Sequence, residues 1–323
     1  MRRNAFVAAV GLMLSLLGTA SLAQDSKIIR VIVPFPAGGG TDGLARLIAP
    51  KLARELGTTV IVDNKPGASG QIAVSFVKAA PADGTTILFS VDHSLVAVPH
   101  LNPKVDYEAL RDFVALGQVS KYPMALAVSI AGGNKTLPDF AAWVKANPGK
   151  ASFGLPVIGG FPSTVGATVA RKIGVPILAV PYVGAAPMMQ ALAGDQIPAG
   201  ISALPDFMSL HQAGKLRMVA VTGARRAGNL PDVPTFEELG YGGLVATSWY
   251  AFFGPKAMPA AAAQRFNRAL NVALAEADVK QRISELGHDL APTTLDEAAA
   301  ELRSTVAFWA EAAKSPDFVR PTN

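Results

Sequence analysis

Gly38, Gly40 and Gly43 stand at G-x-G-x-x-G spacing, between a β-branched apolar run at 28–33 and leucines at helical spacing over 44–56. Glycines in that position bare backbone N–H groups, and a helix starting near Thr41 or Asp42 adds the positive end of its dipole. The chemistry on offer is anion binding. Asp63 lies twenty residues past Gly43, which completes the dinucleotide fingerprint. Pro34 and Pro36 occupy its tight first turn, however, and Asp63 opens a second glycine loop, Pro66-Gly67-Ala68-Ser69-Gly70, instead of a plain helix. A smaller anion fits better. Asp92-His93-Ser94, just after the third strand, is the local candidate for a nucleophile or base.

Other reaction centres lack their residues. His93, His100, His211 and His288 are scattered without an H-E-x-x-H pair, and cysteine is absent, so neither a metal site nor a disulfide frame is indicated. There is no G-x-S-x-G elbow and no phosphate-binding Gly-Lys-Ser/Thr. No cofactor and no metal are expected.

The elements that must position these groups follow from periodicity. A buried strand over 28–33, a helix over 44–56, a strand at 58–62, a helix at 71–80 and a strand at 85–90 make a β-α-β-α-β unit with a parallel sheet. Ser90 and Asp92 then fall at the carboxyl edge, where such sheets take ligands. Strands at 115–119 and 124–128, a Thr136-capped helix to Lys145 and a strand at 151–154 lead into a second glycine loop, Gly159-Gly160-Phe161-Pro162-Ser163-Thr164. A helix at 165–173, a strand at 177–180, a helix at 188–193 and a strand at 216–221 complete a second α/β unit. Thr235–Glu238 and Thr294–Glu297 read as capping boxes, with amphipathic helices over 260–277 and 295–314 and an aromatic strand over 248–254.

Residues 1–23 read as a signal peptide: Arg2-Arg3, an apolar core too short to span a bilayer, and Ser21-Leu22-Ala23 before the cut. The 323 residues, 50% hydrophobic and 16% charged, suffice for two cores. Net charge is +5, or 5 − 2 = +3 without Arg2 and Arg3, and no basic run interleaves with aromatics, so nucleic acid is not an expected partner.

Pro34-Phe-Pro-Ala-Gly-Gly-Gly-Thr-Asp42, Val62-Asp-Asn-Lys-Pro-Gly-Ala-Ser-Gly70, Ala80-Pro-Ala-Asp-Gly84, Val180-Pro-Tyr-Val-Gly184, Ala213-Gly-Lys-Leu-Arg217 and Leu230-Pro-Asp-Val-Pro-Thr235 resemble, in this order, the Bug-type (TctC-like) receptors of tripartite tricarboxylate transporters. The resemblance implies a two-domain periplasmic-binding-protein fold, a flytrap, each domain a mainly parallel sheet flanked by helices. It implies a periplasmic protein, not an enzyme, that holds a small organic carboxylate on backbone amides from one glycine loop per domain. Carried over, the ligand-binding residues are Phe35, Gly38, Gly39, Gly40, Thr41 and Asp42 with Gly159, Gly160, Ser163, Thr164 and Tyr182; Ser90 and Asp92 join them from the sheet edge. The implied partners are integral membrane subunits, and the receptor is expected to act as a monomer.

The expected division is 24–121 plus 226–323 for one domain and 122–225 for the other, with crossings near 120–123 and 222–226. Val183 stands where the family has a lysine, and with Phe161 and Trp249 it points to a ligand less charged at its far end, such as an aromatic acid. Asp42 is expected to cap the helix or orient a water. The alternatives are an exported enzyme built on Asp92-His93-Ser94 and a ligand-dependent partner of a membrane sensor.

Overall fold

A computed structural model describes residues 28–157, 159–244 and 247–314; the stretch read as a signal peptide lies outside them, as does Ile158 of the second glycine loop. The first strands are β1 (Ile29–Val33), β2 (Val60–Asn64), β3 (Thr86–Val91) and β4 (Phe113–Tyr122). After Pro123 come β5 (Met124–Ser129), β6 (Ser152–Leu155), β7 (Leu178–Pro181), β8 (Ala199–Ala203) and β9 (Leu216–Val221). β10 (Ser248–Pro255) and β11 (Asp289–Leu290) complete the set. They form two sheets, ordered β11-β4-β10-β3-β1-β2 and β7-β6-β8-β5-β9.

Each sheet is mixed. β1 lies parallel between β2 and β3, and β6 lies parallel between β7 and β8. The antiparallel ladders arise where the chain changes sheets. β4 leaves the first sheet through Pro123 and β10 returns beside it, so the two must run in opposite directions; β5 and β9 do the same in the second sheet. The return is long: past Thr222 the chain still pairs with the second sheet, Val221 bridging Thr235, before β10 begins at Ser248.

The helices of eight residues or more are α1 (Gly40–Leu56), α2 (Gln71–Lys78), α3 (Leu137–Ala146), α4 (Gly160–Ile173), α5 (Ala185–Ala193), α6 (Leu204–Gln212), α7 (Ala260–Ala275), α8 (Ala277–Glu285) and α9 (Leu295–Ala312). α1 buries Leu44, Ile48 and Leu52 against the first sheet and ends at Gly57, whose left-handed φ of 61° suits glycine. Thr136 and Thr294 cap α3 and α9 with complete capping boxes. Thr235 and Glu238 exchange the same pair of bonds (2.8 and 3.1 Å), but a turn follows instead of a helix. Local reciprocity closes the box; Gly240, Gly242 and Gly243 then offer nothing to propagate. One apolar cluster spans both lobes, with Phe161 and Val165 of α4 alongside Leu95 and Val96 of the first lobe and Trp309 of α9, while a second, around Met188, Leu192, Phe207 and Leu216, lies in the second lobe.

Candidate interlobe binding site

The turn between β1 and α1 is held from behind. Asp42, at the third position of α1, accepts from the Gly38 N–H (3.0 Å), from Arg46 Nε (2.9 Å) and from Asn64 Nδ2 (3.0 Å). Asn64 Nδ2 also donates to Phe35 O (3.0 Å), so the strand-end asparagine ties both ends of the loop. Burial raises the Asp42 carboxyl, but the Arg46, Gly38 and Asn64 hydrogen bonds outweigh it and hold the group below its ordinary value. Neither Thr41 nor Asp42 caps the helix: the N-cap is Gly39, with no side-chain cap.

That arrangement turns the front of the loop toward the other lobe. A cavity of about 70 Å³ lies between the lobes, several times the roughly 10–15 Å³ that one water needs. Phe35, Gly39, Gly40 and Thr41 line it from the first loop, with Val91 and His93 from the end of β3 and Tyr122 and Tyr250 from the crossing strands. The second lobe supplies Met124, Pro156, Val157, Pro162, Gly184, Ser202 and Asp206 among others. Among the described residues, no lysine or arginine lines it. Toward the cleft mouth, Phe35, Pro36, Pro156, Val157 and Gly184 separate this cavity from a second of about 330 Å³ that holds Tyr182.

Of the four amides at 38–41, two already have carboxylate partners. Gly38 serves Asp42, and the Asp206 carboxylate lies across the cleft against Gly40. Gly39 and Thr41 N–H have no hydrogen-bond partner among the described residues. A Cβ built on Gly40 would lie 2.7 Å from Asp206 Oδ1 and 3.6 Å from the Tyr250 hydroxyl, so only glycine allows this approach. Ser202 Oγ donates to the other Asp206 oxygen. Burial pushes Asp206 up to about 6, against the lowering effect of its Ser202 and Gly40 bonds. Tyr250, its ring against that of Tyr122 (centroids 4.6 Å apart), closes the polar end.

His93 faces the same space. It is 6% exposed, packs where a Gly160 Cβ would lie 2.6 Å from its Nδ1, and neither ring nitrogen has a partner among the described residues. Burial lowers its pKa to about 4, which leaves the ring neutral at pH 7 with one donor and one acceptor to offer. Asp92 does not join it in a relay. Burial raises its carboxyl to about 6, against the lowering effect of the neighbouring Ser248 and Trp309. Ser90 is fully buried in β3, its Oγ near Val91 O.

The second glycine loop is tied to the first turn of its own helix. Gly159 N–H donates to Ser163 Oγ (2.9 Å) and Thr164 Oγ1 donates to Gly160 O (3.0 Å). Gly159, Gly160, Ser163 and Thr164 are not among the residues lining the smaller cavity; Pro162 is. Asp63 pairs with Arg30 and lies outside both cavities. Trp249 is 3% exposed with Nε1 donating to Thr305 Oγ1 (2.9 Å), a core residue, while Val183 is 68% exposed at the cleft mouth. The apolar walls come from residues that patterning does not single out: Val91, Met124, Pro156, Val157 and Pro162.

Ser202 and Asp206 belong to β8 and α6 respectively, both absent from the sequence-based assignment. Ala199-Gly-Ile-Ser-Ala203 has one β-branched residue, too little for a strand pattern. Leu204-Pro205-Asp206 did carry a sign, since proline at the first helical positions followed by an acid marks a helix start.

Two α/β lobes joined by crossing strands, with a cavity of mixed polarity between them, define a bilobed solute-binding protein. Residues 44–306 match the family described as the tripartite tricarboxylate transporter family receptor, TctC. Protein BugT of Bordetella pertussis is 30% identical over 315 residues, covering 96% of this chain and 97% of BugT. Two solved structures from Rhodopseudomonas palustris superpose well. Rpa4515 with adipate has a TM-score of 0.86 at 28% identity, covering 92% of this chain and 99% of that one. MatC with bound malate has a TM-score of 0.81 at 26% identity, covering 89% and 99%. The chain belongs to the TctC receptor family.

Proposed function

We propose that the chain is a periplasmic receptor that captures a small organic carboxylate between its lobes and presents it to the membrane subunits of a tripartite tricarboxylate transporter. The observation that carries this is the pair of unpartnered amides, Gly39 and Thr41, at the N-terminus of α1 and on the wall of an interlobe cavity. Relatives solved with adipate and malate support the ligand class. Two charge-assisted hydrogen bonds contribute roughly 3–6 kcal/mol. Burying on the order of 100 Å² of apolar ligand surface adds about 2.5 kcal/mol. Together these approach the roughly 8 kcal/mol of micromolar affinity, so the apolar walls matter as much as the seat.

A ligand touching both lobes favours the closed arrangement, and that shape is what the membrane subunits would recognise. The lobes are taken as 24–121 plus 226–323 and 122–225, with export through the leader at 1–23 and a monomeric receptor. Among the described residues no nucleophile or acid is bonded to the His93 ring, which supports a receptor over an exported enzyme. Titration calorimetry of the mature chain against a panel of mono- and dicarboxylates should find micromolar 1:1 binding for at least one. A panel without any binding would overturn the proposal.

A further inference from the structure

A pocket of about 400 Å³ opens in the second lobe, at the ends of β5, β6 and β8 farthest from the interlobe cavity. Along β5, Ser129 marks this end and Met124 the other, about 17 Å away at roughly 3.3 Å per residue. Asn134 lines the pocket at 7% exposure, and its side-chain amide has no hydrogen-bond partner among the described residues. Asp195 holds a left-handed φ of 57°. The buried Ser129 hydroxyl donates to one of its carboxylate oxygens; the other has no partner among the described residues. Lys150 and Gln196 complete the polar rim, and Lys150 makes no ion pair among the described residues. Trp143, half-buried beside Phe140 with ring centroids 6.2 Å apart, supplies an aromatic wall.

An anion here would meet the Asp195 carboxylate and a cation the Lys150 ammonium, neither of which is paired with the other. A hydroxyl avoids both conflicts. It donates once and accepts twice, so it can give to Asp195 and take from Lys150, Asn134 and Gln196. The indole face adds a second requirement, because its negative π surface draws polarised C–H groups. Hydroxyls around the edge and C–H groups on the face together describe a pyranose ring. We propose that this pocket is a second binding site, which takes a neutral carbohydrate of one or two rings. Its volume lies in the lower part of the roughly 300–1,000 Å³ range of small-molecule sites. The site shares no lining residue with the interlobe cavity and stands apart from the receptor function proposed above.

The test is a ¹⁵N–¹H titration of the mature chain with D-glucose, N-acetyl-D-glucosamine and maltose, each to about 20 mM, roughly twentyfold above a millimolar dissociation constant. At least one sugar should shift the Trp143 indole N–H and the Asn134 side-chain amide saturably, while the Gly39 and Thr41 amides stay in place. Asp195→Gly should weaken that binding at least tenfold. Glycine takes the left-handed φ without steric cost, so this variant should keep the fold, and Asn134→Ala should show the same loss if it does not. No sugar shifting either signal would overturn the proposal. So would sugar binding that persists at full strength in both variants, or shifts confined to the interlobe amides. Saturable shifts with glycine or L-lysine but with no sugar would overturn it in favour of a zwitterion site.

Discussion

The two glycine loops begin alike and end differently. Each follows the central strand of a parallel trio, each starts a helix whose N-cap is glycine, and neither helix has a side-chain cap. In the second loop, Ser163 and Thr164 turn back and bond Gly159 N and Gly160 O, and Gly160 packs beneath His93. In the first, Asp42 binds only the outer amide, Gly38, and is itself held by Arg46 and Asn64 on the side away from the cleft. A helix N-terminus becomes an anion site only when its own hydroxyls and carboxylates leave it open. Both loops tie back their outer amide, Gly38 or Gly159; only the first sets Gly39, Gly40 and Thr41 on the wall of the smaller cavity.

The contrast is broken most severely at Gly40. Gly40→Val places a branched side chain where Asp206 Oδ1 lies 2.7 Å from the Cβ position, so ligand affinity should fall at least 100-fold, about 2.7 kcal/mol, by calorimetry. The N1 position of a helix accepts valine, so the far-ultraviolet circular dichroism should not change.

Next comes stability against pH. The folded-state Asp206 carboxyl sits near 6, above its ordinary 3.8. Its contribution is therefore full below the unfolded value and is lost as pH rises through about 6. Asp206→Asn removes that penalty. Urea unfolding without ligand should show the variant more stable by up to about 2–3 kcal/mol at pH 7.5, and little changed at pH 3.5. Equal stability at both pH values would mean that the carboxyl is not held out of water.

Asp42→Ala frees the Gly38 amide and unties Asn64 and Arg46 from the loop. Affinity should drop about tenfold, roughly 1.4 kcal/mol, because the seat is no longer held in place. The wild-type Asp42 carboxyl is depressed, so its share of stability is present above the unfolded value and fades as pH falls through the folded one.

The smallest effect belongs to the second loop. Ser163→Ala orphans the buried Gly159 N–H and should cost about 1 kcal/mol in urea unfolding while leaving affinity within about threefold.

The sequence made the scaffold legible because strands such as Ile29–Val33 and helices such as Gly40–Leu56 carry strong local periodicity. The place of the first loop at a helix start was legible too, from the glycine spacing and the apolar periodicity that follows it. Two things were not. Whether an amide stays bare depends on long-range partners: Asp206 lies 166 residues from Gly40, on a strand–helix pair whose small residues show no pattern. The aromatic strand 248–254 likewise split its roles by alternation, Tyr250 facing the cavity and Trp249 the helix α9. Composition alone treats the two rings as equivalent.

The most direct test follows the backbone amides themselves. In a ¹⁵N–¹H spectrum of the deuterated mature chain, titration with the tightest-binding probe of the calorimetric panel should shift the Gly39 and Thr41 amide protons downfield and saturably. The Gly159 amide, bonded to Ser163, should move little. Downfield shifts at Gly159 and Gly160 with Gly39 and Thr41 unmoved would contradict the account.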